Sequence, residues 1–189
     1  MQQEIDHLQK AAKFFAQKRY VEALVLYEQL AEQDHPNCQV FVGWMYHEGL
    51  GTKKDDDKAL RWFEKAARSG SEKGMFYYGK LLTMKGELKK SFAEYQKSAA
   101  MGYAPALYRL GIIYAKGVGV DKNLTLADDY FLKAAARGHI FAKREIALRY
   151  LTGSHGLLGR LEGVGLFTQM LIDGIRSILK NKYSDELKG

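Results

Sequence analysis

The 189 residues contain one cysteine, Cys38, and two prolines. A single thiol excludes an internal disulfide and any multi-thiolate metal site. So little proline, beside 47% hydrophobic and 27% charged residues, argues against broad disorder. Long apolar runs are also lacking. The most apolar stretch, Leu157 to Leu179, is broken by Arg160, Glu162, Asp173 and Arg176 and does not read as a membrane span. No P-loop, dinucleotide fingerprint or Gly-x-Ser-x-Gly elbow occurs. Among the five histidines (His7, His35, His47, His139, His155) no pair has the i, i+4 spacing of a helical metal site. Asp55-Asp56-Asp57 and Asp128-Asp129 read as helix starts, where the dipole favours carboxylates. No cofactor, metal site or catalyst is expected. The formal charge of +7 favours an acidic partner. Yet the cations are dispersed, many in last helical turns (Lys65, Arg68, Lys97, Lys133, Arg137), so no specific nucleic acid is expected. The opening Met1-Gln2-Gln3-Glu4 has no basic stretch followed by an apolar run, so the expected compartment is the cytoplasm, or the periplasm if a leader has been removed.

What is present is repetition. Glu64-Lys65-Ala66-Ala67-Arg68-Ser69-Gly70 recurs as Gln96-Lys97-Ser98-Ala99-Ala100-Met101-Gly102 and as Leu132-Lys133-Ala134-Ala135-Ala136-Arg137-Gly138, its lysines 32 and then 36 residues apart. Gly43, Gly79 and Gly111 keep the same two intervals upstream. Such a period means stacked helical hairpins, none of which can bury its apolar face alone. Set on the small residues Cys38, Gly74, Ala106 and Ala142, each unit reads as a first helix A and a second helix B. Asp55 and Asn123 are placed to cap helix B, and Gly70, Gly102 and Gly138 to end it in the left-handed conformation. Gly43, Gly79 and Gly111 lie inside helix A, where glycine costs about 1 kcal/mol. Their recurrence predicts that helix B crosses there at close range. Ala59, Trp62 or Phe63 and Ala66-Ala67 form the stripe that helix B buries, repeated by Ala127, Tyr130-Phe131 and Ala134-Ala135.

Two segments resemble the Sel1-like repeat family, a relative of the tetratricopeptide repeats. One is Val42-Gly43-Trp44-Met45-Tyr46-His47-Glu48-Gly49-Leu50-Gly51 followed by Lys58-Ala59-Leu60-Arg61-Trp62-Phe63-Glu64-Lys65-Ala66-Ala67. The other is Leu110-Gly111-Ile112-Ile113-Tyr114-Ala115-Lys116-Gly117-Val118-Gly119-Val120 followed by Ala127 and Lys133-Ala134-Ala135. The resemblance implies an all-α, right-handed α/α superhelix, or solenoid, of Sel1-like and tetratricopeptide-like hairpins. It also implies protein–protein contacts, commonly as an adaptor in signalling or envelope-associated assemblies. A narrower expectation is that the partner is an effector that this small basic protein neutralises. The expected organisation is one solenoid domain over 1–189. An N-terminal hairpin (1–37) is followed by a Sel1-like repeat (38–73), a shorter tetratricopeptide-like repeat (74–105) that turns through Lys85-Gly86-Glu87-Leu88, and a second Sel1-like repeat (106–141). A last helix A and a C-terminal capping helix complete it (142–189).

In tetratricopeptide-like arrays helix A lines the concave wall. Counting from the crossing points Gly43, Gly79, Gly111 and Ala147, the positions expected to face a groove are Val40, Trp44 and His47; Phe76, Lys80 and Thr83; Tyr108, Ile112 and Ala115; and Arg144, Leu148 and Leu151. An aromatic and aliphatic strip with a few cations fits a peptide or protein segment of acidic character. The alternative is association with a membrane surface through the amphipathic C-terminal helix, with Leu157, Leu158, Leu161, Val164, Phe167, Leu171, Ile175 and Leu179 on its apolar face and Lys180 and Lys182 after it.

Overall fold

A computed structural model describes residues 2–151, together with 164, 165, 167–169, 171–173 and 176, all nine of these C-terminal positions being helical. The chain forms two compact units, Met1–Ala106 and Leu107–Gly189. Nine helices are bounded among the described residues: α1 (Gln2–Ala16), α2 (Tyr20–Glu32), α3 (Pro36–Glu48), α4 (Asp56–Arg68), α5 (Glu72–Met84), α6 (Leu88–Ala100), α7 (Ala104–Lys116), α8 (Leu124–Ala136) and α9 (Ile140–Leu151). None of the described helices is long and apolar enough to cross a membrane. The all-α array of tandem hairpins expected from the sequence is what forms. The first unit packs α1 on α2, α3 on α4 and α5 on α6, joins each hairpin to the next, and sets α3 against α5.

Local chemistry bounds these helices. Asp55, Ser71 and Asn123 cap α4, α5 and α8, accepting hydrogen bonds from Lys58 N at 2.8 Å, Gly74 N at 3.1 Å and Leu126 N at 2.9 Å. The two longer loops fold alike. Gly49 and Gly117 both sit at φ 72°, and the N–H groups of Asp55 and Asn123 return to Tyr46 O and Tyr114 O, each at 2.9 Å. The middle hairpin turns early through Gly86, as expected.

The core is one motif used four times. Each helix B buries an aromatic ring between two small residues or a small residue and a leucine: Ala23, Tyr27 and Leu30; Ala59, Phe63 and Ala66; Ser91, Tyr95 and Ser98; Ala127, Phe131 and Ala134. Opposite three of these rings, helix A carries glycine. A Cβ on Gly43 would lie 2.8 Å from the Phe63 ring, and one on Gly111 2.6 Å from the Phe131 ring. One on Gly79 would approach Tyr95 at 3.1 Å and Ser91 O at 3.2 Å. In the middle hairpin serines take the places of alanines and bond to the backbone of α5, Ser91 Oγ to Gly79 O at 2.8 Å and Ser98 Oγ to Glu72 O at 2.7 Å. A buried hydroxyl is tolerated there because it is satisfied.

One expectation is corrected. Asp128-Asp129 does not open its helix, because α8 begins at Leu124. The pair stands in the second turn, where Asp129 meets Lys133 at 2.6 Å and the nearly buried Asp128 forms an ion pair with Arg149, tying α8 to α9. The capping helix expected beyond Leu151 lies outside the described residues except at the nine positions named above. Of its apolar face, Val164 and Leu171 are exposed and Phe167 is half-buried, whereas Leu157, Leu158, Leu161, Ile175 and Leu179 lie outside the described residues.

Two measurements check this packing. Gly43→Ala and Gly111→Ala each overpack a buried ring and are expected to destabilise the protein by about 1–3 kcal/mol in urea unfolding. A gain in stability, as helix propensity alone would give, contradicts the close crossing. Tyr46 is buried and its hydroxyl donates to Glu28 Oε1 at 2.6 Å. Burial first, then that carboxylate, push its pKa up to about 12. The neutral phenol is the stabilising form, so its contribution is complete below about pH 10, the unfolded value. It is lost as pH climbs through about 12. Burial also pushes Tyr103 up to about 12, so absorbance titration should show a late-ionising phase that loses one tyrosine's amplitude in Tyr46→Phe; an unchanged late phase contradicts the assignment.

Candidate functional site

The helices α3, α5 and α7 are held by their glycine crossings on one side, leaving the side chains one residue further on, and one turn to either side, to meet neighbouring helices or solvent. In the first unit Val40 is 9% exposed and belongs to the core. Trp44 is half-buried, its ring 5.9 Å from Phe15 of α1 and 5.5 Å from Phe41. His47 has a side chain only 13% exposed, and its Nδ1 donates to Asp56 Oδ1 at 2.6 Å, linking the end of α3 to the start of α4. Phe76 sets its ring 5.3 Å from Tyr77 and 5.4 Å from Tyr103. Lys80 is half-buried, and Thr83 is taken up by Gly79 O and Ser91 Oγ.

The second unit brings more of the predicted set together. Tyr108 stacks on His139 with ring centroids 4.5 Å apart and planes at 23°, over the Phe131 wedge at 5.7 Å. Phe141 lies 6.3 Å from Tyr108 and 6.0 Å from His139, and the Arg144 guanidinium sits 5.7 Å over Phe141. Leu148 is exposed one turn further along α9, Ile112 and Ala115 are half-buried against the local core, and Leu151 is half-buried. Burial raises the Tyr108 hydroxyl, Glu145 adds to this, and Arg144 and Arg109 oppose it. His139 Nδ1 accepts the N–H of Ala142 at 3.3 Å and so caps α9.

Sequence reasoning missed His139, Ile140 and Phe141. A signal was available: after the repeat's closing glycine, sister units carry Ser71-Glu72-Lys73 and Tyr103-Ala104-Pro105, whereas this unit carries His139-Ile140-Phe141. Ile140 and Phe141 are 57% and 54% exposed, an apolar pair where the hairpin of α3 and α4 is followed by the charges Glu72 and Lys73. Also unforeseen is a cavity of ≈280 Å3 lined by Ile5, Leu8, Leu30 and Cys38, beside the Glu4–His35 ion pair. Burial pushes the Cys38 thiol up, which suits a small packing residue and not a nucleophile. Among the described residues no group of three His, Cys, Asp or Glu is gathered for a metal ion.

The family model for the Sel1 repeat matches residues 17–35, 36–71 and 104–139. A putative Sel1-like repeat-containing protein of Acanthamoeba polyphaga mimivirus is 28% identical over 130 residues, 67% of this chain and 24% of the relative. The chain spans roughly a quarter or less of the curated relatives it matches. Among solved structures, a Sel1 repeat protein from Oxalobacter formigenes is 26% identical with a TM-score of 0.80, covering 88% of this chain and 70% of that one. A protective antigen of uropathogenic Escherichia coli, 24% identical, has the same TM-score of 0.80 over 90% of this chain and 38% of its own, a likeness of fold.

His139 supplies a check on the stacked geometry. Burial holds its pKa below the ordinary value of about 6.5. The neutral ring is the stabilising form, so its contribution is complete above about pH 6.5 and is lost as pH falls through the depressed folded value. An NMR titration of the His139 ring should give a midpoint below 6.5; one at or above that value contradicts the buried stack.

Proposed function

This chain carries three Sel1 repeats, the mark of a family whose members typically serve as protein-interaction scaffolds, and we propose that it is a non-catalytic scaffold or adaptor holding a segment of another protein on its helix-A faces. The observation that carries this is the surface of α9. Ile140, Phe141 and Leu148 are 57%, 54% and 43% exposed on one short helix, next to the Tyr108 ring. Large apolar side chains so grouped favour a partner over water. Trp44, His47, Phe76 and Lys80 are the corresponding candidates in the first unit. Exposed Val164, Leu171 and Ile172 favour a second reading, a membrane-surface contact, which flotation with anionic vesicles tests directly.

A photo-crosslinking residue at Lys80 or Leu148, with controls at the exposed helix-B positions Val25 and Leu132, tests the scaffold reading in native lysate. Protein adducts are expected at the helix-A positions and not at the controls. Adducts confined to Val25 or Leu132, or none at all, contradict it.

A further inference from the structure

The start of α9 differs from its sister helices in a way that the hairpin packing does not require. Its first two residues are Ile140 and Phe141, both more than half exposed, and Phe141 extends the stacked pair Tyr108 and His139 into a three-ring surface. His139 is fixed by accepting the Ala142 N–H, so the rings are set before any ligand arrives. Arg144 lies over the outermost ring with a half-exposed side chain and, among the described residues, one carboxylate partner, Glu145 at 3.3 Å. A guanidinium has five donors, so most of its fork is unused, and one lying on an aromatic face is weakly hydrated and held flat.

We propose that this surface binds an acidic segment of a partner protein, one aromatic or large aliphatic side chain covering the Tyr108–His139–Phe141 rings and a neighbouring carboxylate taken by Arg144. The inference rests on the scaffold reading and gives its partner a chemistry. Charge favours an acid. Residues 107–189 hold thirteen Lys and Arg against eight Asp and Glu, whereas residues 1–106 hold sixteen against fourteen. Around the rings, however, several of the described cations already have carboxylate partners. Lys133 is paired with Asp129 at 2.6 Å, Arg149 with Asp128, and Lys143 lies 3.9 Å from Asp173. One arginine with spare donors beside an exposed ring matches one carboxylate beside one apolar anchor, and not a polyanion.

The test is fluorescence anisotropy on the full-length protein with three dye-labelled pentapeptides. The first carries phenylalanine between two Glu-Asp pairs, the second alanine in the same acidic frame, and the third phenylalanine between pairs of lysines. The first is expected to bind about tenfold or more tighter than either control. Phe141→Ala, Arg144→Gln and Arg144→Lys should each weaken it about fivefold or more at unchanged helicity, and Lys133→Gln should leave it unchanged. Equal affinity for the three peptides, no binding, equal loss in Lys133→Gln, or displacement by poly(U) as effective as by the unlabelled peptide overturns the proposal. Photo-adducts at Lys80 or Leu148 without this peptide preference leave the scaffold reading standing and remove this one. Peptide binding confined to the ring surface without such adducts separates the two in the other direction.

Discussion

The contact on which the structure depends is an aromatic ring of helix B pressed into a gap on helix A. Phe63 on Gly43, Tyr95 on Gly79 and Phe131 on Gly111 are that contact. In the first hairpin the fully buried Ala11 stands sixteen residues before Tyr27, the same spacing as Gly79 and Tyr95. Everything else in a hairpin follows from it. The ring must be buried, so it is flanked by alanine or by serines whose hydroxyls find carbonyls. The helices must cross closely, so in three of the four hairpins the position opposite carries no Cβ, and in the first it carries only a methyl group. The glycine that weakens an isolated helix by about 1 kcal/mol is offset by covering a phenylalanine whose removal would cost about 3–5 kcal/mol.

Because this contact recurs at fixed intervals, it was the most legible feature of the chain. The intervals of 36 and 32 residues between Gly43, Gly79 and Gly111 foretold both the hairpins and the early turn of the middle one. The features that stayed hidden do not repeat. Asp128 and Arg149 pair across 21 residues at positions where sister repeats hold nothing comparable. His47 and Asp56 meet because a seven-residue loop returns the chain, and neither side chain announces the other. Periodicity also fixes where a residue stands on its helix without fixing what covers it. Val40, Phe76, Tyr108 and Arg144 occupy one repeat position, yet Val40 is buried, Phe76 and Tyr108 are half-buried, and Arg144 is exposed.

That one position shows how the fold and its use are separated. Helix A is committed on its glycine side, and the next residues are free to diverge because hairpin packing places little demand on them. Twice the freedom is used alike: Phe76 meets Tyr103 and Tyr108 meets His139, each pair joining a helix A to the turn before the next one. In the second unit the same step is enlarged by Phe141 and topped by Arg144. On the proposed reading, recognition is added to the scaffold in this manner, by substitutions on a face that the core contact does not use.

The most direct measurement of this account is a double-mutant cycle between Gly43→Ala and Phe63→Leu, read by urea unfolding. Each change alone is expected to destabilise, the first by overpacking and the second by underfilling. If ring and glycine are one contact, the smaller leucine makes room for the new methyl and the pair recovers about 1 kcal/mol or more of the summed losses. Strictly additive losses would show that Gly43 and Phe63 act independently and that the repeat is held together by something else.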